Sequence, residues 1–297
     1  MPCITIEGLS KSFGGVAAVH DLSFTVDAGT VTGFLGPNGA GKTTTLRILL
    51  GLVRADAGTA TIDGRAYAEL PRPAATVGAV LDSAGAHPSR TARNHLRVHA
   101  SGVGIDPGRI DPMLERVGLT DAADRRVGTF SLGMHQRLGI ATALLSDPPV
   151  LILDEPANGL DPSGVRWLRD LVRSLAADGR AVVVSSHLLA EVAHTVDHVV
   201  IIDHGHLVRS APLADVAGPP AVRIRTPEPE RLRQVLTRAG IATSADADGA
   251  VVAIDAPPET IGRLVAAAGL VVFEMRVAAP SLEDAFLSLT EDHEDQR

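Results

Sequence analysis

An α/β fold with an all-helical insert, followed by a smaller α+β unit, is predicted by three observations. Short β-branched runs alternate with helix-periodic segments up to about Arg209. One of these runs, Val31 to Leu35, enters a glycine-rich loop and then a helix, while Val150-Leu-Ile-Leu and Ala181-Val-Val-Val are continuous apolar stretches suited to parallel strands buried on both faces. Between them, from about Arg90 to Asp147, β-branched runs almost vanish and helical spacing takes over.

The elements follow in order. Ile4-Thr5-Ile6, Leu22 to Val26 and Val31 to Leu35 are expected strands, parted by turns at Gly14-Gly15 and Asp27-Ala-Gly-Thr30. Thr43 to Leu52 is expected as a helix with Leu46, Leu49 and Leu50 on one side, and Ala60 to Ile62 as a strand closed by Asp63-Gly64. Turn signals at Gly102, Gly104, Pro107, Gly118 and Gly128 divide the helical insert. The first domain is expected over residues 1–215, with the insert at about 90–147.

After the Gly218-Pro219-Pro220 break, residues 220–297 are expected to form an accessory domain. Strand Ala221 to Arg225 precedes a helix carrying Leu232, Val235, Leu236 and Ala239. Strand Val251 to Ile254 precedes a helix carrying Ile261, Leu264, Val265 and Ala268. Both helices run into glycine, so the unit looks like a weak β-α duplication. A third strand, Val271 to Val277, leads to Ser281-Leu-Glu-Asp284, a capping-box start for a final helix with Leu282, Ala285, Phe286 and Leu289 on one face.

Composition narrows the function. A chain of 297 residues that is 45% hydrophobic and 21% charged can bury a substantial core. The formal net charge of −8 argues against nucleic acid as a partner. Cys3 is the only cysteine, which excludes an intrachain disulfide and a thiolate zinc cluster and points to a reducing compartment. The opening segment alternates like a strand and does not read as a signal, and the longest apolar stretch, Leu264 to Phe273, falls short of the roughly 20 residues that span a bilayer. Service to a membrane would therefore run through a partner. Two lysines, Lys11 and Lys42, stand against 25 arginines, a bias without functional weight.

The chemistry begins at Gly36, Pro37, Asn38, Gly39, Ala40, Gly41, Lys42 and Thr43, which satisfy GxxxxGK[ST] between a strand and a helix. Such a loop turns backbone N–H groups and a helix N-terminus onto phosphates. Lys42 supplies charge to the terminal phosphates, the Thr43 hydroxyl suits Mg²⁺, and Thr44 continues the binding set. Asp154 and Glu155 end a buried strand, where Asp154 suits Mg²⁺ and Glu155 suits an attacking water. An acidic pair alone would more often be a solvated turn; the upstream loop reverses that reading. Ser131 and Gly133 open a helix and offer a hydroxyl and free N–H groups to an anion, although simple N-capping by Ser131 is the better reading when they are taken alone.

Taken together in this order, with Ser131 placed 23 residues before Asp154, these elements and a downstream His187 resemble the ABC ATPases. The resemblance covers roughly residues 1 to 215. It implies a P-loop core with an antiparallel β subdomain, a helical subdomain, ATP hydrolysis with Mg²⁺, and a homodimer holding each ATP between one chain's loop and the other's Ser131 signature. It also implies a separate integral membrane permease and a cytoplasmic place on the inner face of the membrane. In family terms Glu155 is catalytic, His187 is the switch histidine at the γ-phosphate, Phe13 falls where a ring stacks on adenine, and Asn158-Gly-Leu-Asp161 is the loop linking the two subunits. A core aromatic remains an equal reading for Phe13.

Two departures stand out. The signature reads Phe130-Ser-Leu-Gly-Met-His-Gln136, with Leu132 in place of a glycine and Met134 in place of the usual glutamine. Asp82 falls where the family has a metal-sensing glutamine and is a third candidate metal group beside Thr43 and Asp154. Together with the tail Pro280 to Thr290, these departures resemble the drug-resistance branch, the daunorubicin and bacitracin export type. A soluble family member acting on ribosomes or DNA, or an ATP-binding regulatory module, stands as the alternative.

Overall fold

The structure is a computed structural model describing residues 2–81, 85–187, 195–217, 221–246 and 248–278. Those residues divide into two compact units, one ending at Pro212 and the other starting at Leu213.

In the first unit, β1 (Pro2–Phe13) and β2 (Val16–Asp27) form an antiparallel hairpin, with β4 (Ala57–Ile62) on the other side of β1. The expected Ile4-to-Ile6 strand is thus only the first part of a much longer one. A bulge hides the rest, because Gly8 adopts φ 57° between inward-facing Ile6 and Leu9 and so resets the alternation.

The second sheet runs β5-β6-β7-β3-β8-β9 and comprises β5 (Val77–Val80), β6 (Val150–Leu153), β7 (Ala181–Ser186), β3 (Val31–Leu35), β8 (His198–Asp203) and β9 (His206–Pro212). All neighbours are parallel except β8 and β9. Every residue of β3, β6 and β7 is buried, as their uninterrupted apolar runs require. α1 (Lys42–Leu49), which ends three residues before the expected Leu52, shares a core with both sheets through Ile4, Leu22, Phe24, Phe34, Leu46 and Ile152. The rings of Phe24 and Phe34 lie 5.3 Å apart across it.

β5 follows the short α2 (Pro73–Thr76). The helical insert holds α3 (Ala92–Val103), α4 (Ile110–Arg116) and α5 (Leu132–Leu144), packed through buried Leu96, Ala100, Leu114, Leu138 and Ala141. Arg137 anchors α5. Its guanidinium lies 4.1 Å from the ring centroid of Trp167 on α6 (Pro162–Ala177), and its Nη1 donates to the Val117 carbonyl at 2.9 Å.

The second unit opens with α7 (Leu213–Ala217) and then runs β10 (Ala221–Arg225), α8 (Pro229–Arg238), β11 (Thr243–Ala245), β12 (Val251–Ile254), α9 (Pro258–Ala267) and β13 (Glu274–Ala278). The sheet order β11-β12-β10-β13 is antiparallel throughout, which makes this a split βαβ arrangement with one strand more than the duplication read from sequence. β11 carries no large apolar residue and so gave no period-2 signal. β13 begins at Glu274, later than the expected Val271. Val222, Ile224, Leu232, Leu236, Val251 and Ile261 form the core of this unit. Arg223 is bonded to Asp246 at 2.6 Å, to Glu274 at 3.2 Å and to Asp248, an arrangement that raises its pKa and lowers that of Asp248. The capping-box segment from Ser281 and the helix expected after it lie outside the described residues.

Candidate functional site

The candidate groups cluster where three neighbouring parallel strands end on the same side. Leu35 of β3 pairs with Ser186 of β7, and Leu153 of β6 pairs with Val184 of β7. This register brings the loop after β3, the Asp154-Glu155 pair after β6 and the Ser185-to-His187 end of β7 to one level. β3 is the first strand of the sheet yet lies between β7 and β8, so the chain leaves it for one side and returns on the other. Crevices at such switch points are where open α/β sheets bind ligands.

The loop Gly36 to Gly41 lies between β3 and α1, and Gly41 caps the helix at φ 100°. A Cβ there would sit 2.3 Å from the Ala18 carbonyl oxygen, so only glycine lets the loop pass this close to β2. Asn38, Gly39, Ala40, Gly41, Lys42, Thr43 and Thr44 line a cleft together with Ala18 and Glu155. Lys42 is 6% exposed; its ammonium donates to the carbonyls of Gly36 at 2.6 Å and Pro37 at 3.2 Å and lies 3.5 Å from Glu155 Oε1.

Thr43 Oγ1 donates to Asp154 Oδ2 at 2.7 Å. The other oxygen of Asp154 accepts from Ser185 Oγ, which in turn accepts the Glu155 N–H at 2.8 Å. Glu155 has φ 49°, a conformation rare for a side-chain-bearing residue, and one that functional sites often hold. His187 Nδ1 is 2.8 Å from Glu155 Oε2. Ser185 was missed in the sequence reading; its one signal was a serine ending a valine run, and its relation to Asp154 depends on β6 and β7 being neighbours. Hard oxygens from Thr43 and Asp154 beside a phosphate loop suit a cation that completes its shell from phosphates and water. Among the described residues no group of three or more His, Cys, Asp or Glu gathers into an all-protein cage.

The remaining candidates lie apart from this cluster. Ser131 caps α5, its Oγ accepting the Met134 N–H at 3.3 Å, and neither it nor Gly133 lines the cleft beside Lys42. Phe13 closes β1 at the hairpin turn, 50% exposed, with the Lys11 ammonium 5.3 Å from its ring centroid, so the core reading of this residue is overturned. Asp161 caps α6 by accepting the Gly164 N–H at 2.7 Å, and that bond with the Ser163 hydroxyl lowers its pKa. Asp82 lies outside the described residues. No helix among the described residues is long and apolar enough to cross a membrane.

Comparison with known proteins agrees with this geometry. The family model described as ABC transporter matches residues 19–158, and one described as a domain of unknown function matches residues 220–283. The bacitracin transport ATP-binding protein BcrA of Bacillus licheniformis is 44% identical over 70% of this chain and 69% of its own. The Nod factor export ATP-binding protein I of Burkholderia lata is 36% identical over 97% of this chain and 96% of its own. A solved structure of an ATP-binding subunit of an ABC transporter, 29% identical, superposes with a TM-score of 0.66 over 72% of this chain and 91% of its own.

Proposed function

The chain belongs to the ABC transporter family, and from that premise we propose that it is the ATP-binding and ATP-hydrolysing subunit of an exporter of drug-like or lipid-like compounds. It works as a homodimer on a separate membrane permease. The observation that carries this reading is the chain of contacts Thr43–Asp154–Ser185–Glu155–His187 beside the Lys42 loop. The Nod-factor-export name of one relative supports an outward direction.

In this reading the loop N–H groups and Lys42 hold the ATP phosphates, Lys42 exchanging its carbonyl partners for phosphate oxygens. Thr43 and Asp154 would hold Mg²⁺, which would offset the phosphate charge. Glu155 orients water and accepts its proton as the water oxygen bonds to the γ-phosphorus and the bond to the β-bridging oxygen breaks. His187 fixes one Glu155 oxygen and reaches the γ-phosphate, and exposed Phe13 stacks on adenine. Ser131 and Gly133 stand away from their own chain's cleft, which supports their serving the ATP of a partner chain. Closure on two ATP molecules then moves the helical subdomains, and hydrolysis reopens the dimer.

The test is ATP turnover by the purified chain, wild type beside Glu155→Gln, with size exclusion. Mg²⁺-dependent turnover that the variant loses by roughly 10²–10⁴-fold, while it gains an ATP-dependent dimer, is the expected result. Equal turnover in both proteins would overturn the assignment of Glu155.

A further inference from the structure

Leu132 is the signature residue that departs from the glycine its family resemblance implies. It is the first residue of α5 and is 53% exposed, so core packing does not account for it. Its side chain instead fills the notch left by Gly159. A Cβ on Gly159 would lie 2.1 Å from Leu132 Cδ2 and 2.4 Å from its Cγ. Gly159 also holds φ 77°, which a glycine adopts without strain.

The contact belongs to a continuous string. A Cβ on Gly133 would meet the Gly159 carbonyl at 3.3 Å and Leu160 Cδ2 at 3.4 Å, so the first turn of α5 rests on the Gly159 backbone and the Leu160 side chain. The next residue back, Asn158, donates its N–H to the Glu155 carbonyl at 3.2 Å, and Leu160 donates to the Ala157 carbonyl at 3.1 Å. From Ser131 to the backbone of Glu155 the packing is therefore unbroken within one chain. Glu155 is held at a positive φ, where a small shift of the following turn redirects its carboxylate.

We propose that Leu132 is a positioning residue: it locks the signature turn to the Asn158–Asp161 loop, so that engagement of one ATP by Ser131 sets the Glu155 acting on the other. This rests on the homodimer reading above. Each chain's signature then serves the partner's nucleotide while its Glu155 serves its own, and the lock links the two sites. With glycine at position 132 the turn and the loop would move separately.

The experiment is a double-mutant cycle on ATP hydrolysis by the full chain, with Leu132→Gly, Gly159→Ala and the pair together, and Leu132→Ala as a second probe. Leu132→Gly should lower kcat roughly tenfold, within the 10²-fold that a misplacement of about 1 Å can cost, with KM for ATP changed less than about twofold. Cooperativity in ATP should fall with kcat. Gly159→Ala should be impaired alone and partly rescued in the double variant, because removal of Leu132 vacates the space the new methyl needs. Wild-type kcat and cooperativity in Leu132→Gly and Leu132→Ala, or additive effects in the cycle, would overturn the proposal. If wild type turns over ATP and Glu155→Gln dimerises while the cycle shows no coupling, this inference alone fails. A wild-type chain that neither hydrolyses ATP nor dimerises removes the functional reading and this inference with it.

Discussion

Glu155 is held from two sides, with His187 Nδ1 2.8 Å from one carboxylate oxygen and Lys42 Nζ 3.5 Å from the other. His187 follows β7 and Lys42 opens α1, so side chains from outside its own turn hold the carboxylate that the turn's backbone positions. His187→Ala should therefore lower kcat by roughly 10²-fold, at the low end of what a proton-transfer group contributes, and leave ATP affinity within a few-fold. Steady-state kinetics beside nucleotide titration separates the two effects. Weakened binding at normal kcat would place His187 outside the hydrolytic step.

Ser185 is fully buried and bridges the two acidic residues. Ser185→Ala leaves the Glu155 N–H without its acceptor and one oxygen of Asp154 without its donor, and an orphaned buried group costs about 1–3 kcal/mol. Thermal denaturation should show that loss, and a Mg²⁺ titration of turnover should shift to higher concentration because Asp154 is no longer held. An unchanged melting temperature would mean that water replaces the hydroxyl.

Why Ser185 escaped sequence reading while Lys42, Thr43, Asp154 and Glu155 did not is a matter of distance along the chain. The four were legible because each sits within a contiguous pattern whose chemistry depends on local turn and strand geometry. Ser185 acquires its partners only through the parallel pairing of β6 and β7, and no local pattern encodes which buried strands become neighbours. The positive φ of Glu155 was equally hidden, since glutamate gives no compositional hint of it. The full length of β1 is hidden because bulges break its alternation, and β11 is silent in sequence because Thr243-Ser-Ala245 has no apolar face. Local sequence does not decide between core and surface for Phe13, because its place at a hairpin tip depends on where β1 ends.

Gly41→Ala tests the loop independently of the acids. The added methyl would meet the Ala18 carbonyl oxygen at 2.3 Å while the residue keeps φ 100°, so the loop must withdraw from β2 and its N–H groups lose their aim. Binding of a fluorescent ATP analogue should weaken by at least about tenfold, equivalent to 1.4 kcal/mol, with the fold retained by circular dichroism. Tight binding by this variant would show that the loop tolerates displacement.

His95 makes the helical insert sensitive to acid. Thr142 Oγ1 commits its proton to the Leu138 carbonyl at 2.8 Å, so the 3.1 Å contact between His95 Nε2 and Thr142 Oγ1 has the imidazole as donor. The ring is then neutral with a bare Nδ1, and that atom is buried with no partner. Protonating it would place a charge there unpaired; burial, with nearby His99 and Arg90, lowers its pKa, and burial lowers that of His99 too. In the unfolded chain both rings take up protons near pH 6.5, whereas the folded chain resists until lower pH. Below about pH 6.5 the unfolded state therefore binds more protons, and stability present at neutral pH is lost as pH falls. Burial lowers the pKa of His198 as well, so the melting temperature should drop between about pH 7.5 and about pH 5.5, and His95→Phe should flatten that slope by removing one of these three titrations. An identical slope in the variant would place the acid sensitivity elsewhere in the fold.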